Sequence, residues 1–236
     1  MIVINKKNKK YIVATIKSWN IELFHRLTPS FEGSWHLITE KHQLTENIVN
    51  QIQPDYVFFP HWSWIVPNNI VENHDCVCFH MSDVPYGRGG SPLQNLIVRG
   101  HTATKLTALR MTNDLDAGPI YCKKDLALTG SAQKIYENAA ELSYELIQFI
   151  AANTPTPYEQ TGEITVFERR TPEQSEFSGD IIPSDLYDLI RMLDAETYPH
   201  AYSILNKYKL EFTGASIDGD TITATTTFKR IEHADE

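Results

Sequence analysis

The chain is short of cysteine: three in 236 residues, an odd number, which argues against the paired framework that staples small secreted domains. Cys76 and Cys78 lie inside an apolar run, where a reduced thiol behaves as a small buried hydrophobe, so a reducing, cytoplasmic location is expected. No apolar stretch approaches the ~20 residues of a membrane-crossing helix, and no membrane partner is expected. The charged opening Met1-Ile-Val-Ile-Asn-Lys-Lys-Asn-Lys-Lys10 leads into no apolar run long enough for a signal peptide. Basic charge is scarce as well. Lys and Arg number 21 against 30 Asp and Glu, a net charge of −9, which weighs against a long nucleic acid held by counterion release. What the chain does have is 42% hydrophobic residues, enough for one substantial core with a smaller unit appended.

That apolar content alternates between strand and helix spacing. Tyr11 to Ile16, Ser34 to Ile38, Tyr56 to Phe59, Cys76 to Phe79 and Ala103 to Met111 read as strands. Helical spacing follows Ser18, a plausible N-cap, and recurs over Thr45 to Ile52, Pro92 to Val98 and Ser131 to Ile150. Strands separated by helical stretches predict an α/β fold, a Rossmann-like, mainly parallel sheet flanked by helices, with a ligand site at the carboxyl ends of the strands. The prolines of Thr154-Pro-Thr-Pro157 end the long helix, so the expected N-terminal domain is 1–155. The remainder, 156–236, is expected to be a linker and a small C-terminal α+β unit. It holds a helix from Ser184 to about Leu193, strands Tyr208 to Phe212 and Thr221 to Phe228, and an Asp218-Gly219-Asp220 turn. The last residues, 232–236, are expected to fray.

Chemistry concentrates in His80-Met-Ser-Asp-Val-Pro-Tyr-Gly-Arg-Gly-Gly-Ser-Pro92 and Leu115-Asp116-Ala-Gly118. The first puts a histidine at the end of an apolar strand and opens a Gly-rich turn before a helix; the second supplies a carboxylate from another strand end. Gly87, Gly89 and Gly90 around Arg88 predict a loop with unusual φ values that lets a ligand approach the backbone. Trp62 and Trp64 follow a strand, where a flat ring or a sugar could lie. Cys76, Cys78 and His80 share one strand face, but their ~6.7 Å steps converge poorly on one ion, and no metal is expected.

These motifs resemble the formyltransferases that use 10-formyltetrahydrofolate, a family that includes methionyl-tRNA, glycinamide ribonucleotide and nucleotide-sugar formyltransferases. His80, Ser82, Val84, Pro85, Arg88, Gly89, Pro92 and Leu93 match its first signature, and Leu115-Asp116-Ala117-Gly118 its second. The resemblance implies that His80 and Asp116 are catalytic, Asp116 holding His80 protonated toward the developing oxyanion. Trp64, Ile65 and Val66 would line the folate pocket, with Asn113 and Asp116 completing it. Ser18, Asn20, Ser82, Tyr86, Arg88 and Gly89 would bind the acceptor. The family's catalytic asparagine stands two residues before the histidine, and here Cys78 holds that position. A thiol is a weak donor. Either a backbone N–H, a water or a neighbour such as Gln94 or Asn113 replaces the asparagine, or transfer is slow.

The resemblance leaves the acceptor open. The acidic balance and short tail weigh against a tRNA acceptor stem. A primary amine on a nucleotide-linked amino-deoxy sugar is the expected substrate. Methionyl-tRNA formylation, hydrolysis of formyltetrahydrofolate and folate or sugar binding without turnover are the rivals. A homodimer through an open edge of the C-terminal strands is possible on sequence grounds.

Overall fold

In the computed structural model, residues 9–196 and 198–231 are described; the expected fraying at 232–236 and the first eight residues lie outside that range. A six-stranded sheet has the order β2-β1-β3-β4-β6-β7. Its strands are β1 (Lys10–Ala14), β2 (Ser34–Ile38), β3 (Tyr56–Phe59), β4 (Cys76–His80), β6 (Ala103–Arg110) and β7 (Ile120–Ala127). A short strand, β5 (Tyr86–Gly89), precedes β6 in the chain. Pairing is parallel for β1 with β2 and β3 and for β3 with β4; β4 pairs β6 antiparallel.

The central strands are apolar on both faces. Ile12, Val13, Val57, Phe58, Cys76 and Val77 are all buried, as strands must be when helices cover the sheet on both sides. The connecting helices α1 (Ser18–Leu27), α2 (Glu46–Ile52) and α3 (Asn68–Asn73) bury Leu23 and Phe24, Val49, and Ile70. Thr45 caps α2, its hydroxyl accepting from the Ile48 N–H at 3.3 Å. Ser18 differs from expectation: it is the first residue of α1, and Lys17 holds the cap position without a side-chain bond. Helix α4 (Pro92–Val98) begins where proline at the first helical position predicts. The long α5 (Ala132–Asn153) buries Ile135, Ala139, Leu146 and Ile150, and its Tyr144 hydroxyl donates to the Asn20 carbonyl at 2.8 Å.

Two compact units partition the chain: 1–88 with 104–126 and 137–166, and 89–103 with 127–136 and 167–236. The two units interleave along the chain, each drawing segments from both sides of residue 155. Segments 89–103 and 127–136 group with the later residues because polar anchors tie them there. Gln94 donates to the Met192 carbonyl and the Tyr136 hydroxyl, and the Arg191 guanidinium to the carbonyls of Leu128 and Gly130. Sequence spacing is blind to such long-range bonds. The second unit also holds β8 (Thr165–Phe167) in part, α6 (Pro183–Leu193), and an antiparallel sheet of β9 (Ala201–Leu205), β10 (Tyr208–Asp218) and β11 (Thr221–Arg230). Gly219, with φ 56°, makes the β10–β11 turn, and a register shift between Thr213 and Ser216 accompanies Gly214 at φ 62°.

The connectivity reverses at β1, whose neighbours are β2 and β3. Ligands of open α/β sheets bind beyond the strand ends at such a reversal. Thr15, α1 and His61 sit at the carboxyl ends of β1 and β3.

Candidate active site

His80 ends β4 and is buried. Its Nε2 lies 2.7 Å from the Gly87 carbonyl. A carbonyl only accepts, so Nε2 carries the proton of that bond, and the ring is fixed with Nδ1 toward Asp116. Nδ1 stands 3.4 Å from Asp116 Oδ2. The Ser82 hydroxyl donates to the same Gly87 carbonyl at 3.0 Å, and Thr107 donates to the Ser82 carbonyl at 2.8 Å. Ser82 thus braces the loop beneath the histidine; it stands in the site as support.

Asp116 occupies a left-handed conformation, φ 54°, which aspartate tolerates better than most residues. Its turn is pinned at both ends. Thr112 donates to the Asp114 carbonyl at 3.0 Å, and the Arg110 N–H donates to the Pro119 carbonyl at 2.8 Å. Gly118 admits no side chain: a Cβ built there would lie 1.8 Å from the Arg110 carbonyl oxygen. The glycine of the Leu-Asp-Ala-Gly motif is therefore required by the close approach of two backbone segments.

Cys78 precedes His80 on the same strand, and side chains two apart share a face. Burial first, then the Asp116 charge, pushes its thiol far up, so it stays a protonated, weak donor at neutral pH. The two neighbours weighed as replacements are committed elsewhere. Gln94 spends its amide on Tyr136 and Met192, and the exposed Asn113 donates to Glu72 at 3.2 Å. Both amide hydrogens of Gln94 are thereby used, which leaves none for an oxyanion. No group of three metal-ligating side chains occurs among the described residues.

The stretch after β3 presents Trp64, 38% exposed, edge-on to Trp62 with ring centroids 5.0 Å apart. Ile65 is 91% exposed. The Trp62 indole N–H is buried without a hydrogen-bond partner among the described residues. An aromatic and apolar lip of this kind fits a flat heterocycle. Val66 is buried and packs into the core with Ile12, Val57 and Ile70.

At the β1 end, Ser18 is exposed, whereas Asn20 is buried with its side-chain oxygen unpartnered among the described residues. Lys17 stands over the Trp19 ring, 5.6 Å from its centroid, and Trp19 meets His61 edge-on at 5.7 Å. Burial, and secondarily Lys17, push the His61 pKa down to about 4. An unfolded histidine takes up its proton near pH 6.5, so folding stability present above that value is lost as pH falls toward 4. Urea unfolding should show a loss of up to about 1.4 kcal/mol per pH unit in that window, absent in His61→Asn. An unchanged slope in the variant would contradict this assignment.

The Gly-rich segment does have unusual backbone, Gly87 at φ 78° and Gly89 at φ 99°, but it forms strand β5. Tyr86 is half-buried at its start. Arg88, expected to bind the acceptor, donates through Nε and Nη2 to Gln160 Oε1 at 3.0 and 2.9 Å. Gln160 escaped the sequence reading because it belongs to no motif and lies in a loop after two prolines.

The family described as Formyl transferase matches residues 3–148, and the methionyl-tRNA formyltransferase C-terminal domain matches 172–229. The solved methionyl-tRNA formyltransferase from Clostridium thermocellum is 44% identical with a TM-score of 0.91, over 94% of this chain and 99% of that one. Methionyl-tRNA formyltransferase of Thermodesulfovibrio yellowstonii is 26% identical over 69% of this chain and 55% of its own length. The chain spans about half the length of the curated relatives it matches. A sugar N-formyltransferase from Shewanella shares the fold at 15% identity, TM-score 0.66, over 96% of this chain and 99% of its own.

Proposed function

The chain belongs to the formyl transferase family, and from that premise we propose that it transfers a formyl group from 10-formyltetrahydrofolate to the primary amine of a small acceptor, a nucleotide-linked amino-deoxy sugar. The observation that carries the reaction is the buried His80–Asp116 pair at the strand ends. The amine attacks the formyl carbon, the bond from that carbon to folate N10 breaks, and the proton the amine gives up is balanced by the one N10 takes as it leaves. With Nε2 held on Gly87, His80 handles charge through Nδ1. Protonated, Nδ1 donates to the developing oxyanion; neutral, it accepts, and Asp116 beside it balances the charge or collects the amine proton. The Trp62–Trp64–Ile65 lip suits the pterin of the folate substrate.

The acceptor reading rests on charge. Over 167–236, acidic residues outnumber basic ones two to one, and Lys209 and Lys229 both pair with Glu211. A surface of that kind repels a polyphosphate backbone. A single anionic group fits better, at Lys17 and Ser18 by the start of the ten-residue α1. The second reading, methionyl-tRNA as acceptor, is favoured by the 44% identical relative of that name. A side-by-side assay of amino-sugar nucleotides and charged initiator tRNA separates the two: formylated sugar supports the first reading, and formylation of tRNA alone overturns it.

Cys78 makes a further expectation. A preorganised amide donor at an oxyanion is worth ~10²-fold or more in rate, and a half-buried, protonated thiol supplies little of it. Cys78→Asn is expected to raise kcat at least about tenfold. An unchanged or lower kcat in a folded variant would show that another donor already serves the oxyanion.

A further inference from the structure

Gln160 lies in the loop that leaves α5, and its side-chain amide is fully used. Nε2 donates to the carbonyls of Asp116 and Gly118, each at 2.8 Å, while Oε1 accepts both Nε and Nη2 of Arg88. An amide has two hydrogens and two lone pairs, and each has a partner here. The loop itself is anchored on either side. Tyr158 and Ile120 exchange N–H to carbonyl bonds at 2.9 and 2.7 Å, and the Thr165 N–H donates to the Pro85 carbonyl at 3.1 Å. Gln160 is thus a fixed bracket between β5 and the turn that carries Asp116.

That turn needs a bracket. Asp116 is left-handed, a conformation that costs an L-residue ~1–2 kcal/mol and persists only where surrounding structure holds it. The two carbonyls that Gln160 grips belong to Asp116 itself and to Gly118, so the bonds fix the peptide plane leaving Asp116 and with it the direction of the carboxylate. The 3.4 Å gap to His80 Nδ1 depends on that direction.

We propose that Gln160 is a positioning residue: by clamping the Asp116 turn to Arg88 it sets the His80–Asp116 separation at which charge and protons are handled. The same bonds give Arg88 a task in the site without contact to substrate. The inference rests on the reading of His80 and Asp116 as the reaction centre.

The test is a double-mutant cycle between Gln160 and Asp116. Gln160→Glu keeps the side-chain length and the acceptor for Arg88 but points an oxygen at two carbonyl oxygens, so the Asp116 side of the clamp opens. A misplacement of about 1 Å costs on the order of 10²-fold, so kcat is expected to fall roughly 30-fold with KM for the folate substrate within about twofold. In an Asp116→Asn background, followed in single turnovers with enzyme in excess, the same substitution is expected to change the rate by less than about twofold, because the group it positions is gone. An equal loss in both backgrounds, full activity in Gln160→Glu, or an effect confined to KM would overturn the proposal. If Gln160→Glu fails to fold by circular dichroism, Gln160→Met goes through the same cycle; failure of both to fold makes Gln160 a structural residue and overturns it too. Full activity in Asp116→Asn alone is a distinguishable result, since it removes the reaction centre and the clamp's purpose together.

Discussion

Replacing His80 with alanine is expected to slow formyl transfer at saturating substrate by ~10²–10⁴-fold, the range that a positioned acid or base contributes. The fold should survive. Gly87, which loses the imidazole bond, keeps the Ser82 hydroxyl at 3.0 Å, so no buried carbonyl is orphaned. Asp116 keeps its turn because Gln160, Thr112 and the Arg110–Pro119 bond hold it independently of the ring. Single-turnover rates beside thermal melts check both halves. A melting point within a few degrees of the parent and a rate down by the stated range is the expected pair. Parental rates would remove His80 from the chemistry, and a protein that no longer folds would contradict the expected survival of the fold.

Gly118→Ala is expected to cost at least about 3 kcal/mol of stability, the upper range for overpacking a well-filled site. The added carbon would sit 1.8 Å from the Arg110 carbonyl oxygen and within 3.2 Å of the Thr112 methyl, so the two strand ends must part. That movement carries Asp116 with it, and activity should fall even in the fraction that stays folded. Gly100 is the useful control: no atom lies within 4 Å of a Cβ there, and its φ of 77° alone penalises alanine. Urea unfolding of the two variants should place Gly118→Ala well below Gly100→Ala. Equal midpoints would mean that the close approach at Gly118 relaxes freely.

Much of this molecule was legible before any coordinates. The strands Ser34–Ile38 and Tyr56–Phe59 and the helix Pro92–Val98 fall where apolar period and proline predict them. The mainly parallel sheet followed from their alternation, and the two motifs led to a histidine and an aspartate that the fold brings within 3.4 Å. Strands β5, β7, β8 and β9 and helix α3 were missed. Ile120–Ala127 runs Ile-Tyr-Cys-Lys-Lys-Asp-Leu-Ala, and its central charged residues mask the strand signal. Lys123 explains part of that, its ammonium pairing with Asp83 and donating to the Val84 carbonyl.

The site was read less completely than the fold. Motif matching marked Arg88 and Val66 as ligand contacts, and in the structure one is held by Gln160 and the other packs into the core. A motif records which residues occur together, and it does not separate those that touch substrate from those that hold the touching residues in place. Gln160 had no signal at all, because a hydrogen bond across 44 residues of chain leaves no periodicity.

The most direct test of formyl transfer at the His80–Asp116 pair is one single-turnover experiment with 10-formyltetrahydrofolate isotopically labelled in the formyl group. Wild-type and Asp116→Asn proteins are mixed with an amino-sugar nucleotide, and products are identified by mass spectrometry. Label arriving on the amine as a formamide, one for each folate consumed, and at least about 100-fold more slowly in the variant, is the expected result. Label leaving only as formate, or reaching the amine equally fast in both proteins, would contradict it.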